Sequence, residues 1–325
     1  MKKISRIGVF TSGGDAPGMN AAVRAVVRTA LYYNIPIYAI HRGYEGMIAG
    51  EITPLEAGDV GNIMQRGGTV IKTARSVAFL SKEGRKMAYK NLEEYKIDAL
   101  VAIGGNGTFT GAEIFHTEWG IRTIGIPGTI DNDLYGTDYT LGFDTAINTA
   151  VDAVDKIRDT ADSHNRVFFV EVMGRHSGYI GLHTGIGSGA GAILLPEAEK
   201  SIDEIVEILK NSAKRKKLFN LIIVAEGNKN GGAQEIAKQV KDKINIDIKV
   251  AIIGHLQRGG SPTAMDRLLA SRMGFAAVEG LLAGEYNVMA GIVNDEIVYT
   301  PFSEAIHKAK LPEPQLIKMA EILAM

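Results

Sequence analysis

The chain contains no cysteine. Disulfides, thiolate metal sites and a cysteine nucleophile are therefore excluded, and a reducing cytoplasm is the expected location. A charge excess of either sign is also missing. Lys and Arg number 36 against 37 Asp and Glu, a formal net charge of -1. Such balance excludes the broad field that holds nucleic acid or an anionic membrane surface, while leaving room for a local basic pocket. No apolar run approaches the ~20 residues needed to span a bilayer. The short apolar stretch after Met1 runs into Gly13, Gly14 and Asp15, unlike a signal peptide. The seven histidines show no His-Glu-x-x-His spacing, and no Gly-x-Ser-x-Gly elbow supports serine hydrolysis.

What is present is a regular alternation. At 325 residues, 46% hydrophobic, the chain is long enough for two lobes. Apolar, largely β-branched runs at Ile7–Phe10, Leu100–Ile103, Ile124–Ile126, Val167–Val170, Leu221–Val224 and Val250–Ile253 lead into glycine-bearing or polar loops. Strands buried on both faces read this way. Helical patterns at 21–33, 145–158, 202–214 and 266–282 lie between them. The fold class is α/β with mostly parallel sheets, in which ligands sit beyond the carboxyl ends of the strands.

Three loops at such ends carry candidate chemistry. Gly13-Gly14-Asp15-Ala16-Pro17-Gly18 precedes a helix, as phosphate-cradling loops do, though a tight strand-to-helix turn reads alike. Gly104-Gly105-Asn106-Gly107-Thr108 repeats the pattern, and two such loops suggest a polyphosphate nucleotide. Gly128-Thr129-Ile130-Asp131-Asn132-Asp133 carries two acids two residues apart, one suited to a base and the other to a metal or an orienting role. Arg75, Arg166, Arg175 and Arg258 stand near glycine-rich turns or strand ends, and their guanidinium forks match phosphate oxygens. Arg24 and Arg28 share one helix face, either solvated or a second anion site.

The stretches TSGGDAPGMNAAVR, PGTIDND, KIRDTADSHNR, VEVMGR and GHLQRGGSPT, in this order, resemble the bacterial-type ATP-dependent 6-phosphofructokinases, from Ile7 to about Pro301. The resemblance implies two Rossmann-like three-layer α/β/α lobes with the active site in the cleft between them. The larger, nucleotide-binding lobe would comprise residues 1–141 and 256–303, and the sugar-phosphate lobe residues 142–255 and 304–325. It implies transfer of the γ-phosphoryl of ATP to the C1 hydroxyl of fructose 6-phosphate, with Mg²⁺ as cofactor and a homotetramer sharing its active sites. Asp131 would be the base, Thr129 would hold the transferring group and Arg175 would neutralise its charge. Gly14, Arg75, Ser76, Gly105, Asn106, Gly107, Thr108 and Gly111 would line the nucleotide. Ile130, Met173, Gly174, Glu226, His255 and Arg258 would contact the sugar phosphate, as would Arg166 and Lys249 across a subunit boundary. Asp133 and Asn106 are the metal candidates. Arg24, Arg28, Arg158, Arg215 and Lys217 would form an effector site for ADP or phosphoenolpyruvate.

Pyrophosphate-dependent relatives carry aspartate at the position of Gly107 and lysine at that of Gly128, so glycine at both favours ATP. Three departures stand out. Asn106 replaces an aspartate that helps hold Mg²⁺. Lys249 replaces an arginine, losing the bidentate fork. Ala57 and Gly191 replace effector-site residues. A weakly active or non-catalytic regulatory paralogue in a mixed oligomer is therefore the alternative, and a pyrophosphate-dependent enzyme the less favoured one.

Overall fold

A computed structural model describes residues 4–164, 166–214 and 220–324. In chain order, β1 (Ile7–Thr11), α1 (Met19–Tyr32), β2 (Ile37–Ile40), α2 (Gly43–Ala49), β3 (Ile52–Leu55), α3 (Lys82–Glu94), β4 (Ala99–Gly104), α4 (Asn106–Trp119) and β5 (Arg122–Pro127) come first. Next are α5 (Phe143–His164), β6 (Val167–Val172), α6 (Tyr179–Gly187), β7 (Ala192–Leu194), α7 (Ile202–Lys214), β8 (Asn220–Ala225), α8 (Ala233–Lys241) and β9 (Ile248–Ile252). The chain ends with α9 (Ala264–Ala283), β10 (Val288–Val293), β11 (Glu296–Pro301), α10 (Phe302–His307) and α11 (Pro314–Leu323). Each apolar run read from the sequence forms a strand, and each helical pattern a helix.

Two compact units result. The first comprises Met1–Ile130, Leu134–Thr145 and Arg258–Ala309, and the second Asp131–Asp133, Ala146–Gln257 and Lys310–Met325. The first unit holds a sheet in the order β11-β10-β5-β4-β1-β2-β3. Its five inner strands run parallel, and the edge strands β3 and β11 run antiparallel to their neighbours. β1 and β4 are buried at every position, as strands covered on both faces must be. One core gathers Phe10, Tyr44, Phe79, Leu92 and Phe115. The second unit holds a four-stranded parallel sheet, β7-β8-β6-β9. Its core joins Phe169, Ile205, Ile222, Val224 and Ile236. Among the described residues, no helix is long and apolar enough to cross a membrane.

Helix α5 starts in the first unit, and its first turn is pinned there by a buried carboxylate. Asp266, on α9, accepts the backbone N–H of Gly142 and of Thr145, both at 2.9 Å, and the Thr145 hydroxyl at 2.5 Å. The orphan N–H groups of the helix start are thus satisfied from another helix. Burial raises the Asp266 pKa, and the bonds from Thr145 and Gly142 pull it back in part. With its folded pKa above the unfolded value, this group favours the fold most below the unfolded pKa. That contribution is lost as pH rises through the folded pKa. Acid therefore does not weaken the fold through Asp266. Replacing Asp266 by Ala removes three bonds to one charged acceptor and should lower unfolding stability by about 2–4 kcal/mol, measured by urea denaturation at neutral pH.

Candidate active site

In the first unit, the loops after β1, β4 and β5 leave the same end of the sheet, because these strands are parallel. The first loop turns through Gly13 (φ 85°) and Gly18 (φ 99°) into α1. The second turns at Gly105 into α4, and neither helix has an acid in its first turn. Neither positive helix end is offset by an acid of its own first turn, a charge balance that does not oppose a bound anion. The Thr108 hydroxyl donates to Ser12 O at 3.3 Å, joining the two loops. Tyr44 OH donates to Thr108 O at 2.7 Å, and its ring lies so near that a Cβ on Gly111 would sit 2.9 Å from it. Gly111 thus serves helix packing. A Cβ on Gly107 would meet nothing within 4 Å, so this glycine faces open space. At Gly128 a Cβ would lie 3.0 Å from the Met19 side chain. Thr129 O accepts the Thr140 hydroxyl at 2.5 Å, and the Thr129 side chain lies against Gly105.

The segment carrying Arg75 is stapled to the first loop. Buried Asn20 donates to Arg66 O and Gly67 O at 3.0 and 3.2 Å and accepts from Val70 N at 2.7 Å. Thr73 donates to Gly13 O at 2.8 Å. Arg75 is exposed, while the Ser76 hydroxyl accepts from Phe79 N at 3.2 Å, within a short 3₁₀ turn at Ala78–Leu80. Arg258 belongs to this unit too. Its guanidinium covers Gly14, where a Cβ would come within 2.6 Å of Nη1, and it donates to Asp15 O at 3.2 Å.

In the second unit, Asp131 and Asn132 are buried, and Asp133 is half-buried. Ser177 Oγ donates to Asp131 O at 2.9 Å. The loop after β6 bends through Gly174 (φ 146°) and Arg175 (φ 54°). A left-handed non-glycine residue needs outside support, and such strain gathers at working sites. Glu226 supplies it: Oε2 accepts Gly174 N at 3.3 Å and Arg175 N at 3.1 Å. One of its oxygens therefore already holds the loop expected to contact the sugar. Met173 is half-buried beside this loop, and the Arg175 side chain is exposed. His255 is exposed on a 3₁₀ turn at Gly254–Arg258.

Arg166 and Lys249, on neighbouring strand ends, share one counter-ion. Asp247 lies 3.0 Å from Arg166 Nε and 2.9 Å from Lys249 Nζ. Lys249, and then Arg166, hold the Asp247 carboxyl below its usual pKa. Of the effector candidates, Arg24 and Arg28 lie on α1 and Arg158 on α5, where Arg158 Nε is buried with no hydrogen-bond partner among the described residues. Arg215 and Lys217 lie outside the described residues.

Among the described residues, no group of three or more acidic or histidine side chains is placed to hold a metal. The half-buried carboxylate of Asp133 is a donor of the kind that suits a magnesium ion held chiefly by phosphate oxygens. Sequence reasoning missed Tyr44, Thr73, Ser177, Asp247 and Gly227. Only Asp247 had a visible signal, its two-residue spacing from Lys249 beside a strand. Gly227 (φ 79°) is packed hard against the bend at Arg175: a Cβ there would lie 2.0 Å from Arg175 O. Gly227→Ala must displace the Arg175 backbone and should lower kcat by about 10²-fold, with the folded state retained by circular dichroism.

Residues 6–281 match the family Phosphofructokinase. The chain is 52% identical over 322 residues to the ATP-dependent 6-phosphofructokinase 1 of Thermus thermophilus, covering 99% of this chain and 100% of that one. It is also 52% identical over 326 residues to the ATP-dependent 6-phosphofructokinase 2 of Bacteroides thetaiotaomicron, covering 100% of both. Among solved structures, a phosphofructokinase from Saccharomyces cerevisiae matches with a TM-score of 0.89 at 39% identity, over 93% of this chain and 45% of that one. The strand-end loops and the acid-bearing turn fall within the matched residues, and the chain belongs to the phosphofructokinase family.

Proposed function

We propose that the chain is an ATP-dependent 6-phosphofructokinase, moving the γ-phosphoryl of ATP to the C1 hydroxyl of fructose 6-phosphate to give fructose 1,6-bisphosphate and ADP in glycolysis. The carrying observation is the buried Asp131, held through its main chain by Ser177 on a turn within the family's matched residues. The Asp131 carboxylate takes the C1 hydroxyl proton as that oxygen attacks the γ-phosphorus. The bond to the β-phosphate oxygen breaks, and ADP leaves with the electron pair. Positioning and charge neutralisation carry most of such a reaction.

The first unit takes the nucleotide role. Gly14, Gly105, Gly107 and Thr108 present backbone to its phosphates, with Asn106, Arg75, Ser76 and Gly111 beside them. Thr129 holds the transferring group. The second unit takes the sugar phosphate through Asp131, Met173, Gly174, Glu226 and His255, with Ile130 contributing just before Asp131, and Arg175 neutralises developing charge. Arg258 joins the phosphate contacts, while Arg166 and Lys249 serve a neighbouring subunit's site in a homotetramer. When bound, magnesium neutralises phosphate oxygens. Asp133 and Asn106 are the oxygen donors this chain would offer it, and Asn106 brings a neutral oxygen where charge is favoured.

Glycine at position 107, facing open space, supports ATP over pyrophosphate as donor. Glycine and alanine at Gly191 and Ala57 support weak or altered control by ADP or phosphoenolpyruvate at Arg24, Arg28 and Arg158. Self-association is supported by Leu268, Phe275 and Leu282, three exposed apolar side chains at seven-residue steps along α9.

Steady-state kinetics with each donor test the reading. Turnover is expected with ATP and not with pyrophosphate. Asp131→Asn should lower kcat by about 10³-fold with little change in KM. Asn106→Asp should lower the Mg²⁺ concentration for half-maximal rate roughly threefold. No turnover with either donor would favour a regulatory subunit, the reading that Asn106, Lys249 and Gly191 otherwise support.

A further inference from the structure

The turn that carries Asp131 is held from two sides within its unit. Ser177 fixes the Asp131 carbonyl. The next residue, Asn132, is buried with φ 52°, in the left-handed region. Asparagine tolerates that conformation because its short amide can bond to nearby backbone. Here the amide oxygen also accepts a bond from far along the chain. Lys310 Nζ, 178 residues away in sequence, donates to Asn132 Oδ1 at 2.8 Å.

Lys310 is itself placed by Tyr179. Its ammonium stands 5.1 Å from the centre of the Tyr179 ring, over the face that attracts cations. The Tyr179 hydroxyl donates to Leu311 O at 2.8 Å, holding the backbone one residue along. Tyr179 opens α6, directly after the Arg175–Gly178 loop. Gly178 N, at that same junction, is held by Glu197 Oε1 at 2.8 Å. The C-terminal segment, the start of α6 and the acid-bearing turn therefore form one linked set, and Lys310 is the link by which the C-terminal segment reaches the turn.

We infer that Lys310 is a positioning residue for the phosphoryl transfer: its ammonium, seated on Tyr179, fixes the orientation of Asn132 and thereby of the turn presenting Asp131. The inference rests on Asp131 being the base. Lys310 need not touch either substrate. Its removal should loosen the aim of the carboxylate and leave ground-state binding largely intact. An anchor that only ties down the C-terminal segment would instead show itself in thermal stability.

The experiment compares Lys310→Met, which keeps the stem and loses the charge, with Lys310→Arg, Asn132→Ala, the double variant and Asp131→Asn, all in the full-length protein with ATP and fructose 6-phosphate. Lys310→Met should lower kcat by about 10–100-fold with both KM values within roughly threefold of the unaltered protein, since small misplacements act on kcat. Lys310→Arg should restore most of the rate. Asn132→Ala should reproduce the loss, and the double variant should be no slower than either single one, because both remove the same link. A kcat for Lys310→Met within twofold of the unaltered protein overturns the inference. So does a loss that tracks a fall in Tm and is not rescued by arginine. Inactivity of Asp131→Asn in the same assay keeps the base assignment standing in either case; full activity of that variant removes the base assignment and this inference together.

Discussion

Parallel pairing is the constraint on which the rest of the molecule depends. When β1, β4 and β5 run side by side in one direction, their carboxyl ends must share one edge of the sheet. Whatever follows each strand is then delivered to the same place. In the first unit this assembles two glycine-bearing helix starts and the Gly128–Thr129 segment without long-range design of each loop. The second unit obeys the same rule: β6 and β8 are parallel neighbours, so the Gly174–Arg175 bend and Glu226 emerge together. The clamp between Glu226 and the two backbone N–H groups is a consequence of that register.

Much of the fixing is done by carboxylates accepting backbone N–H groups. Asp266 serves the start of α5, Glu226 the bend at Arg175 and Glu197 the start of α6. Glu171 does likewise for Ala233 N at 2.7 Å, at the start of α8. A charged acceptor makes a stronger bond than a neutral one and complements the positive end of a helix. These acids would read as surface or site residues in a sequence. Here they brace backbone, at helix starts and at the bend beside Gly174.

That distinction explains what was legible in the sequence. Long apolar runs bounded by glycine announced the buried strands, because covering both faces leaves little choice of residue. The edge strands gave weaker signals. β3 contains Pro54, and β11 alternates buried and exposed positions only loosely. Polar α3 buries just Arg85, Ala88 and Leu92, too few to set a clear period. The strand-end loops and the acid-bearing turn were readable from residue type and order. Their supports were not. Ser177 and Tyr44 meet partners 46 and 64 residues away, and no local pattern encodes such pairs. Asn20 lay inside a recognised motif, yet its task as a staple for residues 66–70 follows only from geometry.

The discontinuous division of the chain bears on how the protein emerges from the ribosome. β10, which pairs with β5, and α9, which lies against α1, belong to the first unit but are made after nearly all of the second. The second unit draws most of its residues from the uninterrupted stretch Ala146–Gln257, so its sheet has all four strands as soon as β9 is synthesised. The unit begun first is thus completed late. Until then the apolar side of α1 and one edge of β5 await partners not yet translated, an interval in which nascent chains of this topology depend on protection from aggregation.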